Sequence, residues 1–421
     1  MRRFFYGYWI VLAGFLTLTL SCGLAYYGFS IMNAPVADWF GWSRGQVTLG
    51  FTCLMVAMAV TSPVVGRLTD NRGPRQVLII GTIVLSLSLA LLSRTWSLWS
   101  YCLLHAGLGL GMTLLGAIPI SVLIRSWFHR LQGTMQGLAF IGIGFGGFLF
   151  GPIIGNYLIP NLGWQRTYLV MGLLSLVIMA VVILFLVRDR PQQKGLSPYG
   201  SEAARTVNGR EPEAFKTPGL GLKEALGTSA FWLIALSSAV YGMGLTGGLQ
   251  NHVDILTRPA RGFTVADATL AVSIVGLASA VGKFTFGYLC DRIDPKYTTA
   301  MAYAFTAGSL AALTVASSTY HLWLYGIFLG LAMGGWAPNM AMLTGNYFGL
   351  KQYGAILGSV HLVFMLGEAV GPLIVGLVYD QTGAYSPILV TLSVLCAASI
   401  PLIIIIKKSG LIARARNSSQ T

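Results

Sequence analysis

The chain has 421 residues, of which 55% are hydrophobic and only 10% charged, and its formal net charge is +14. A soluble domain carries roughly 25% charged residues, so a chain this apolar cannot cover a water-facing surface and must be solvated largely by lipid. The basic residues are scattered through short loops between apolar runs rather than gathered on one face, which excludes a nucleic-acid-binding surface.

Apolar runs long enough to cross a bilayer follow one another along the chain, since about 20 apolar residues span the hydrocarbon core. The first six runs lie near 9–32, 47–66, 76–93, 97–125, 133–157 and 166–187. The second six lie near 229–250, 266–290, 298–318, 321–347, 354–378 and 386–406. The sequence therefore predicts an all-α membrane protein with twelve transmembrane helices in two six-helix bundles. We expect an N-terminal bundle over 1–188, a cytoplasmic linker over 189–226, and a C-terminal bundle with a short cytoplasmic tail over 227–421.

The distribution of Lys and Arg among the loops predicts the orientation, because cytoplasmic loops carry an excess of both. If both termini are cytoplasmic, nearly all of the 27 Lys and Arg residues lie on the cytoplasmic side or in the linker. The exceptions are Arg44, Arg94, Arg166, Arg258 and Arg261 on the other side, and Lys283 within a span. We therefore expect a multi-pass membrane protein with both termini cytoplasmic, and the short, prokaryote-like chain favours a cell inner membrane. Its linker is rich in Gly, Pro, Gln and Glu, which favours partial disorder.

The two halves of the chain match each other at an offset near 221 residues. The matching positions are Gly41 and Gly262, Gly66 and Gly287, Asp70 and Asp291, and Gly137 and Gly358. Several matches at one offset, across the same helix numbers, indicate a duplicated six-helix unit. Two parallel repeats of this size are one layout of secondary transporters, whose substrate site lies near the membrane midplane.

The loop after the second predicted helix reads GRLTDNRGPR over 66–75. It resembles the loop 2–3 signature of the major facilitator superfamily, and a looser copy begins at position 287. Glycine permits close helix approach, an acidic residue can cap a neighbouring helix, and Arg can bind acidic partners. The resemblance implies contacts that break and re-form as the two bundles rock. The residues of this conformational motif are Gly66, Asp70, Arg72, Arg75, Gly287, Asp291 and Arg292.

Within that superfamily, the sequence resembles the group of monocarboxylate transporters and oxalate–formate antiporters. The segments that carry the resemblance are FGWSR over 40–44, WFHR over 127–130 and GIGFGGFLFGP over 142–152. The resemblance implies transport of small organic anions by proton symport or exchange.

Three departures from that group concern its cationic residues. Lys283 stands where monocarboxylate transporters carry an Arg in helix 8, and Ser279 stands where many have an acid one turn earlier. Helix 11 offers His361 instead of the Lys of the oxalate–formate type. Helix 1 lacks the Lys of animal members. So few cationic anchors favour a monoanion over a dianion.

Ionisable side chains deep in a span are costly, so they indicate function by default. Lys283 can hold a substrate carboxylate, or it can form a permanent ion pair with another helix. Glu368 is the acidic residue near the centre of a span, and His361 lies two turns earlier on roughly the same face. Apolar surroundings favour the neutral form of a carboxylic acid, and imidazole titrates near neutrality, so either side chain can carry a coupling proton. The alternatives are a salt bridge from Glu368 to Lys283, and a packing role for His361.

Polar side chains that can orient the substrate lie in three other predicted helices. Asn339 follows Pro338, which removes a backbone hydrogen bond, so the amide can repair the break or face the substrate. The hydroxyls of Tyr26 and Tyr27 can bond a carboxylate. His105 precedes a glycine-rich patch and is either functional or a packing residue.

The chain lacks a Walker loop, a nucleophile elbow and a zinc motif. Its five cysteines have no metal spacing and read as small core residues. We therefore predict neither an enzyme nor a cofactor or metal protein, but a monomer in the lipid bilayer that moves a small carboxylate, with protons as possible co-substrates. The alternatives are an exporter of a drug, sugar or other metabolite, and a membrane sensor without turnover.

Overall fold

The computed structural model describes residues 5–201, 219–258 and 261–406. Helix dominates these ranges. The extended pairings within them are two isolated bridges, Phe128 with Tyr199 and Gly219 with Gly349. The chain divides into two compact units, Met1–Phe215 and Lys216–Thr421, and the division falls inside the segment predicted as a linker.

The first unit is built from six long helices. They are α1 (Gly7–Phe40), α2 (Arg44–Arg72), α3 (Pro74–Leu92), α4 (Leu98–Trp127), α5 (132–162) and α6 (164–186). The last two form one continuous stretch that turns at Gly163, where a φ of 73° is readily adopted only by glycine.

The second unit is also built from six long helices, preceded by a short turn of helix at Leu222–Leu226. They are α7 (Ser229–Leu256), α8 (Val265–Cys290), α9 (Pro295–Thr314), α10 (Thr319–Phe348), α11 (Tyr353–Thr382) and α12 (Ser386–Ile404). The prediction of twelve helices, six in each unit, is confirmed for the described residues.

Polar caps fix where several of these helices begin. The Ser43 hydroxyl accepts from the Gln46 backbone at 3.3 Å, and the Gln46 side chain accepts from the Ser43 backbone at 2.8 Å. Thr264 and Asp267 exchange the same pair of hydrogen bonds at the start of α8. Such reciprocal caps satisfy backbone donors that the first helical turn leaves open.

Helix length and composition agree with a membrane protein. Ten helical stretches of the described residues are long and apolar enough to cross a bilayer, with α5 and α6 counted as one stretch. The helix outside that set is α9, which is 20 residues long but carries Lys296 and several threonines. Several helices extend past the predicted apolar runs: α1 ends at Phe40 rather than near 32. An apolar run marks only the part of a helix inside the hydrocarbon core, whereas the backbone hydrogen bonds of the helix continue into the more polar residues beyond it.

Both described ends of the predicted linker pack on their own unit. Tyr199 donates its backbone N–H to Trp127 at 2.9 Å, and the Arg75 backbone N–H donates to Asp189 at 2.7 Å. In the second unit, the Leu220 backbone N–H donates to Phe348 at 2.8 Å. Partial disorder was predicted for the linker as a whole, and its residues 202–218 lie outside the described residues.

Candidate functional site

Lys283 lies within α8, seven residues before the helix ends at Cys290, or about 10 Å from that end at 1.5 Å per residue. Its side chain is buried, with 7% of the residue exposed. The ammonium donates to the hydroxyl of Ser279, one turn earlier, at 2.6 Å. Ser279 stands where many monocarboxylate transporters have an acid, so here the acceptor for Lys283 is a neutral hydroxyl.

Glycine brings α8 and α10 together at the level of Lys283. A Cβ on Gly334 would lie 2.6 Å from the Lys283 backbone nitrogen and 2.6 Å from the Gly282 Cα. A Cβ on Gly330 would lie 2.5 Å from the carbonyl oxygen of Val275. Real Cβ atoms do not approach so closely, so this contact requires glycine and holds the Lys283 backbone against α10.

Glu368 lies where α11 packs closely on α7. A Cβ on the preceding residue, Gly367, would lie 2.1 Å from the Ala239 carbonyl oxygen, and one on Gly242 would lie 3.1 Å from the Glu368 Cγ. The Thr246 hydroxyl donates to the Glu368 backbone carbonyl at 2.8 Å. Among the described residues of this unit, the Glu368 carboxylate accepts no hydrogen bond and joins no ion pair within 4.0 Å. It is only partly buried.

His361 belongs to an aromatic group shared by α10 and α11. Its ring centroid lies 5.2 Å from that of Trp336, which lies 4.5 Å from that of Phe364. His361 and Trp336 are half-buried, whereas Phe364 is buried. The Trp336 indole nitrogen is buried without a hydrogen-bond partner among the described residues.

Asn339 joins three helices of the second unit. Its amide nitrogen donates to the Thr298 carbonyl at 3.2 Å, and its amide oxygen accepts from the Cys290 thiol at 3.0 Å. The residue is 3% exposed. It also lines a small cavity, together with Tyr241, Tyr303 and other residues of α7, α9 and α10, that has room for about one water molecule.

Tyr26 and Tyr27 lie in a π-helical segment of α1, Cys22–Tyr27. Their rings meet edge to face at 5.3 Å, and Tyr26 also packs on Phe51 at 5.5 Å. A Cβ on Gly147 of α5 would lie 2.8 Å from the Tyr27 ring. Single π-helical turns inside α-helices are frequent at functional sites, and this one was not predicted from the sequence.

The predicted conformational motif occupies the end of α2 and the start of α3, with its second copy at the end of α8. Gly66 is buried and Arg72 is exposed. The Arg75 guanidinium donates to the Leu184 carbonyl of α6 at 3.0 Å. In the second copy, which holds Gly287 and Asp291, the Arg292 guanidinium stacks on the Tyr288 ring at 4.5 Å.

Of the residues predicted to bind the substrate or carry protons, the second unit contains four and the first unit contains the tyrosine pair. The four are Lys283, Asn339, His361 and Glu368. Sequence reasoning missed Tyr241, whose hydroxyl donates to the Ala332 carbonyl and whose ring lies 6.2 Å from Phe364. The glycines that follow Tyr241 in α7 could have identified it, because a run of glycines indicates a close contact between helices.

The profile of the Major Facilitator Superfamily matches residues 15–258 and 255–418. The chain is 24% identical over 367 residues to the uncharacterized MFS-type transporter YhjX of Escherichia coli (strain K12), which covers 86% of this chain and 85% of that protein. It is 25% identical over 386 residues to monocarboxylate transporter 13 of Rattus norvegicus, covering 90% and 84%. It is also 25% identical over 316 residues to the membrane sensor protein UhpC of Salmonella typhimurium, covering 73% and 69%.

Two solved structures resemble the fold. The human organic anion transporter MFSD10 (TETRAN) superposes with a TM-score of 0.69 at 17% identity, over 94% of this chain and 99% of that one. The Escherichia coli fucose:proton symporter FucP superposes with a TM-score of 0.67 at 15% identity, over 98% and 99%. At these identities the matches show the fold alone, and they confirm the predicted arrangement of twelve helices in two bundles.

Proposed function

This chain belongs to the Major Facilitator Superfamily of transporters, and we propose that its substrate is a small organic anion, a monocarboxylate, moved by alternating access with proton symport or exchange. The observation that carries the proposal is Lys283, a cation buried deep in α8 beside a neutral hydroxyl. The similarity to a monocarboxylate transporter over 90% of the chain supports the same substrate class.

Lys283 neutralises the substrate carboxylate in this proposal. An ammonium is a compact point charge with several donors, one of which is given to Ser279, and such a charge can also attract a carboxylate. A charge-assisted hydrogen bond contributes about 1.5–3 kcal/mol, and the low dielectric of a protein interior strengthens it. One deeply buried cation suits one carboxylate, which is why we infer a monoanion.

Glu368 carries the coupling proton in this proposal, with His361 as the second candidate. The Glu368 carboxylate has no hydrogen-bond or ion-pair partner among the described residues of its unit and is partly accessible, so a proton can neutralise it without breaking a salt bridge there. This geometry also disfavours Glu368 as a permanent counter-ion of Lys283.

The other predicted residues take supporting roles. Tyr26 and Tyr27 orient the substrate through their hydroxyls. Asn339 can do so only if it exchanges its bonds to Thr298 and Cys290, so we assign it the lesser part. The loop motif controls the conformational change. We further infer a monomer in a cell inner membrane with both termini cytoplasmic, as the positive-inside rule indicates.

The proposal is tested by counterflow in proteoliposomes. Vesicles that hold the purified protein are preloaded with one unlabelled solute and diluted into a trace of the same solute in radiolabelled form. The solutes compared are small carboxylates, neutral compounds and cations. We expect transient accumulation of the label with a monocarboxylate only. Accumulation with a neutral or cationic solute alone contradicts the anion proposal and favours an exporter.

A sensor without turnover is the second candidate, because the chain is similar to the membrane sensor protein UhpC over 73% of its length. A sensor binds its ligand and does not move it. A carboxylate that raises the thermal midpoint of the purified protein, yet gives no counterflow, therefore identifies the sensor.

A further inference from the structure

We propose that Cys53 and Cys102 form a redox site of the first unit, at which their thiols join as a disulfide between α2 and α4. The reagent that acts on this site is a small disulfide oxidant. The site is separate from the proposed substrate residues, and its argument does not depend on which solute the protein moves.

The two thiols lie close together although they belong to different helices. Cys53 lies within α2 and Cys102 within α4, and their side chains are hydrogen-bond partners. Both are free cysteines in the structure. A disulfide joins residues whose Cα atoms lie about 4.4–6.8 Å apart, so it can form between helices only where their backbones approach closely.

The backbones of α2 and α4 do approach closely around this pair. A Cβ on Gly50 of α2 would lie 2.4 Å from the Tyr101 ring of α4. A Cβ on Gly109 of α4 would lie 2.2 Å from the carbonyl oxygen of Leu54 on α2. Real Cβ atoms do not come so near, so both contacts require glycine and hold the two helices at the short distance that a cross-link needs.

The helical spacing puts both cysteines on the faces where the two helices meet. Cys53 is three residues after Gly50 and four before Ala57, and both of these residues lie against α4. Cys102 is seven residues, or about two turns, before Gly109, which lies against α2. Residues three, four or seven apart share one face of a helix, so the spacing agrees with the hydrogen bond between the thiols.

This pair is more accessible to a reagent than the other cysteines. Cys53 and Cys102 are half-buried, whereas Cys22, Cys290 and Cys396 are buried. A small oxidant should therefore react first at the pair.

The pair lies toward the ends at which α2 and α4 begin. Cys53 is nine residues after Arg44 and Cys102 is four residues after Leu98, or about 14 Å and 6 Å along the helices at 1.5 Å per residue. Both ends face away from the cytoplasm in the topology inferred above. Disulfides persist on that side of a bacterial membrane, whereas cytosolic thiols are kept reduced, so the position suits a redox site.

Two exchange steps form the bond. The thiolate of one cysteine attacks a sulfur of the reagent, which gives a mixed disulfide and releases one half of the reagent as a thiol. The thiolate of the second cysteine then attacks the protein sulfur of that mixed disulfide and releases the other half. The two cysteines lose two electrons and two protons, and the reagent gains both.

Dithiodipyridine tests the proposal on the unmodified full chain, because each molecule that closes a protein disulfide releases two coloured thiopyridones. It is added in an equimolar amount, and the protein is then unfolded and alkylated. We expect two thiopyridones per protein, alkylation at three of the five cysteines, and a proteolytic peptide that joins Cys53 to Cys102. Dithiothreitol should restore all five alkylation sites. Absence of the joined peptide, or its replacement by a cross-link to another cysteine, overturns the proposal.

Serine variants and the thermal midpoint test whether the native packing accommodates the bond. Cys53→Ser and Cys102→Ser should lose the joined peptide, and the matched control Cys22→Ser, in the same unit, should keep it. Oxidation should raise the midpoint of the unmodified protein and of Cys22→Ser by several degrees, because a cross-link constrains the unfolded chain. Cys53→Ser should show no rise. A cross-linked protein whose midpoint does not rise would show that the native helices do not accommodate the bond, and would overturn the proposal.

Discussion

Glu368 faces α7 at a position where glycine gives it room. The carboxylate is partly accessible and has no partner among the described residues of its unit. No cation of that unit therefore lies close enough there to balance its charge. A proton that binds this carboxylate removes an uncompensated charge from the span. These properties suit a side chain that gains and loses a proton in each transport cycle.

We predict that Glu368→Gln separates exchange from proton-driven accumulation. Glutamine mimics the protonated acid, so solute exchange should continue at a rate close to that of the unmodified protein. Uptake driven by an imposed pH gradient should fall to background, because the variant cannot release a proton. Flux in proteoliposomes with and without the gradient measures both. Glu224→Gln is the control, since Glu224 is 55% exposed and pairs with Lys351 outside the spans. Gradient-driven uptake in Glu368→Gln would remove Glu368 from the coupling role.

We predict that Asn339→Ala acts on stability more than on substrate affinity. The change removes the hydrogen bonds of the amide to the buried Thr298 carbonyl and to the Cys290 thiol, each of which contributes about 0.5–1.5 kcal/mol. The thermal midpoint of the unliganded protein should fall, and the ligand-induced rise should be preserved. A preserved midpoint with a lost ligand response would instead place Asn339 at the substrate.

At the residue scale, the sequence identified which side chains are chemically unusual but not how they are arranged. Lys283 and Glu368 could be found because charge is rare inside apolar runs. The contacts of Asn339 could not, since they join three helices that are distant in sequence.

The contact between α8 and α10 is an element-scale feature that sets the position of Lys283. Gly334 and Gly282 face each other where the helices cross, and a side chain on Gly334 has no room. Small residues at such crossings are the usual means of close helix packing within bilayers. The height and direction of the Lys283 side chain therefore depend on a residue of another helix.

We predict that Gly334→Ala destabilises the second unit by about 1–3 kcal/mol, the typical cost of overpacking, and weakens substrate binding because α8 is displaced. Gly276→Ala is a matched control on α8, where a Cβ would meet nothing within 4 Å. There the helix should become more stable by about 0.5–1 kcal/mol, since alanine loses less entropy than glycine. Thermal midpoints and ligand responses of both variants test this, and equal midpoints would show that α8 and α10 do not need the close contact.

The number of helices could be predicted from the sequence, because each apolar run is about as long as a helix that crosses the bilayer. Helix ends were less accessible. The sequence placed the end of α1 near 32 and its helix continues to Phe40, and it gave no sign of the π-helical turn that holds Tyr26 and Tyr27. Both features depend on local hydrogen bonding that apolar composition does not encode.

At the scale of the whole molecule, the distribution of basic residues predicts the orientation. We expect Asn71→Cys, in the last turn of α2, to react with an impermeant maleimide only from the cytoplasmic side. Ala384→Cys, in the α11–α12 loop, should react only from the opposite side. Both residues are exposed. The labelling is done in a cysteine-free background, in intact cells and in inverted vesicles. Reaction of both sites from the same side would show that the assigned topology is wrong.

The central claim is that Lys283 binds the carboxylate of the substrate, and ligand-induced thermal stabilisation measures it most directly. The experiment compares the unmodified protein with Lys283→Gln and Lys283→Arg across a panel of small monocarboxylates, and uses Lys351→Gln as a control for loss of an exposed, paired cation. We predict a stabilising monocarboxylate whose affinity falls roughly 10- to 150-fold in Lys283→Gln, as expected for a lost charge-assisted bond, and is partly kept in Lys283→Arg. An unchanged affinity in Lys283→Gln would contradict the account.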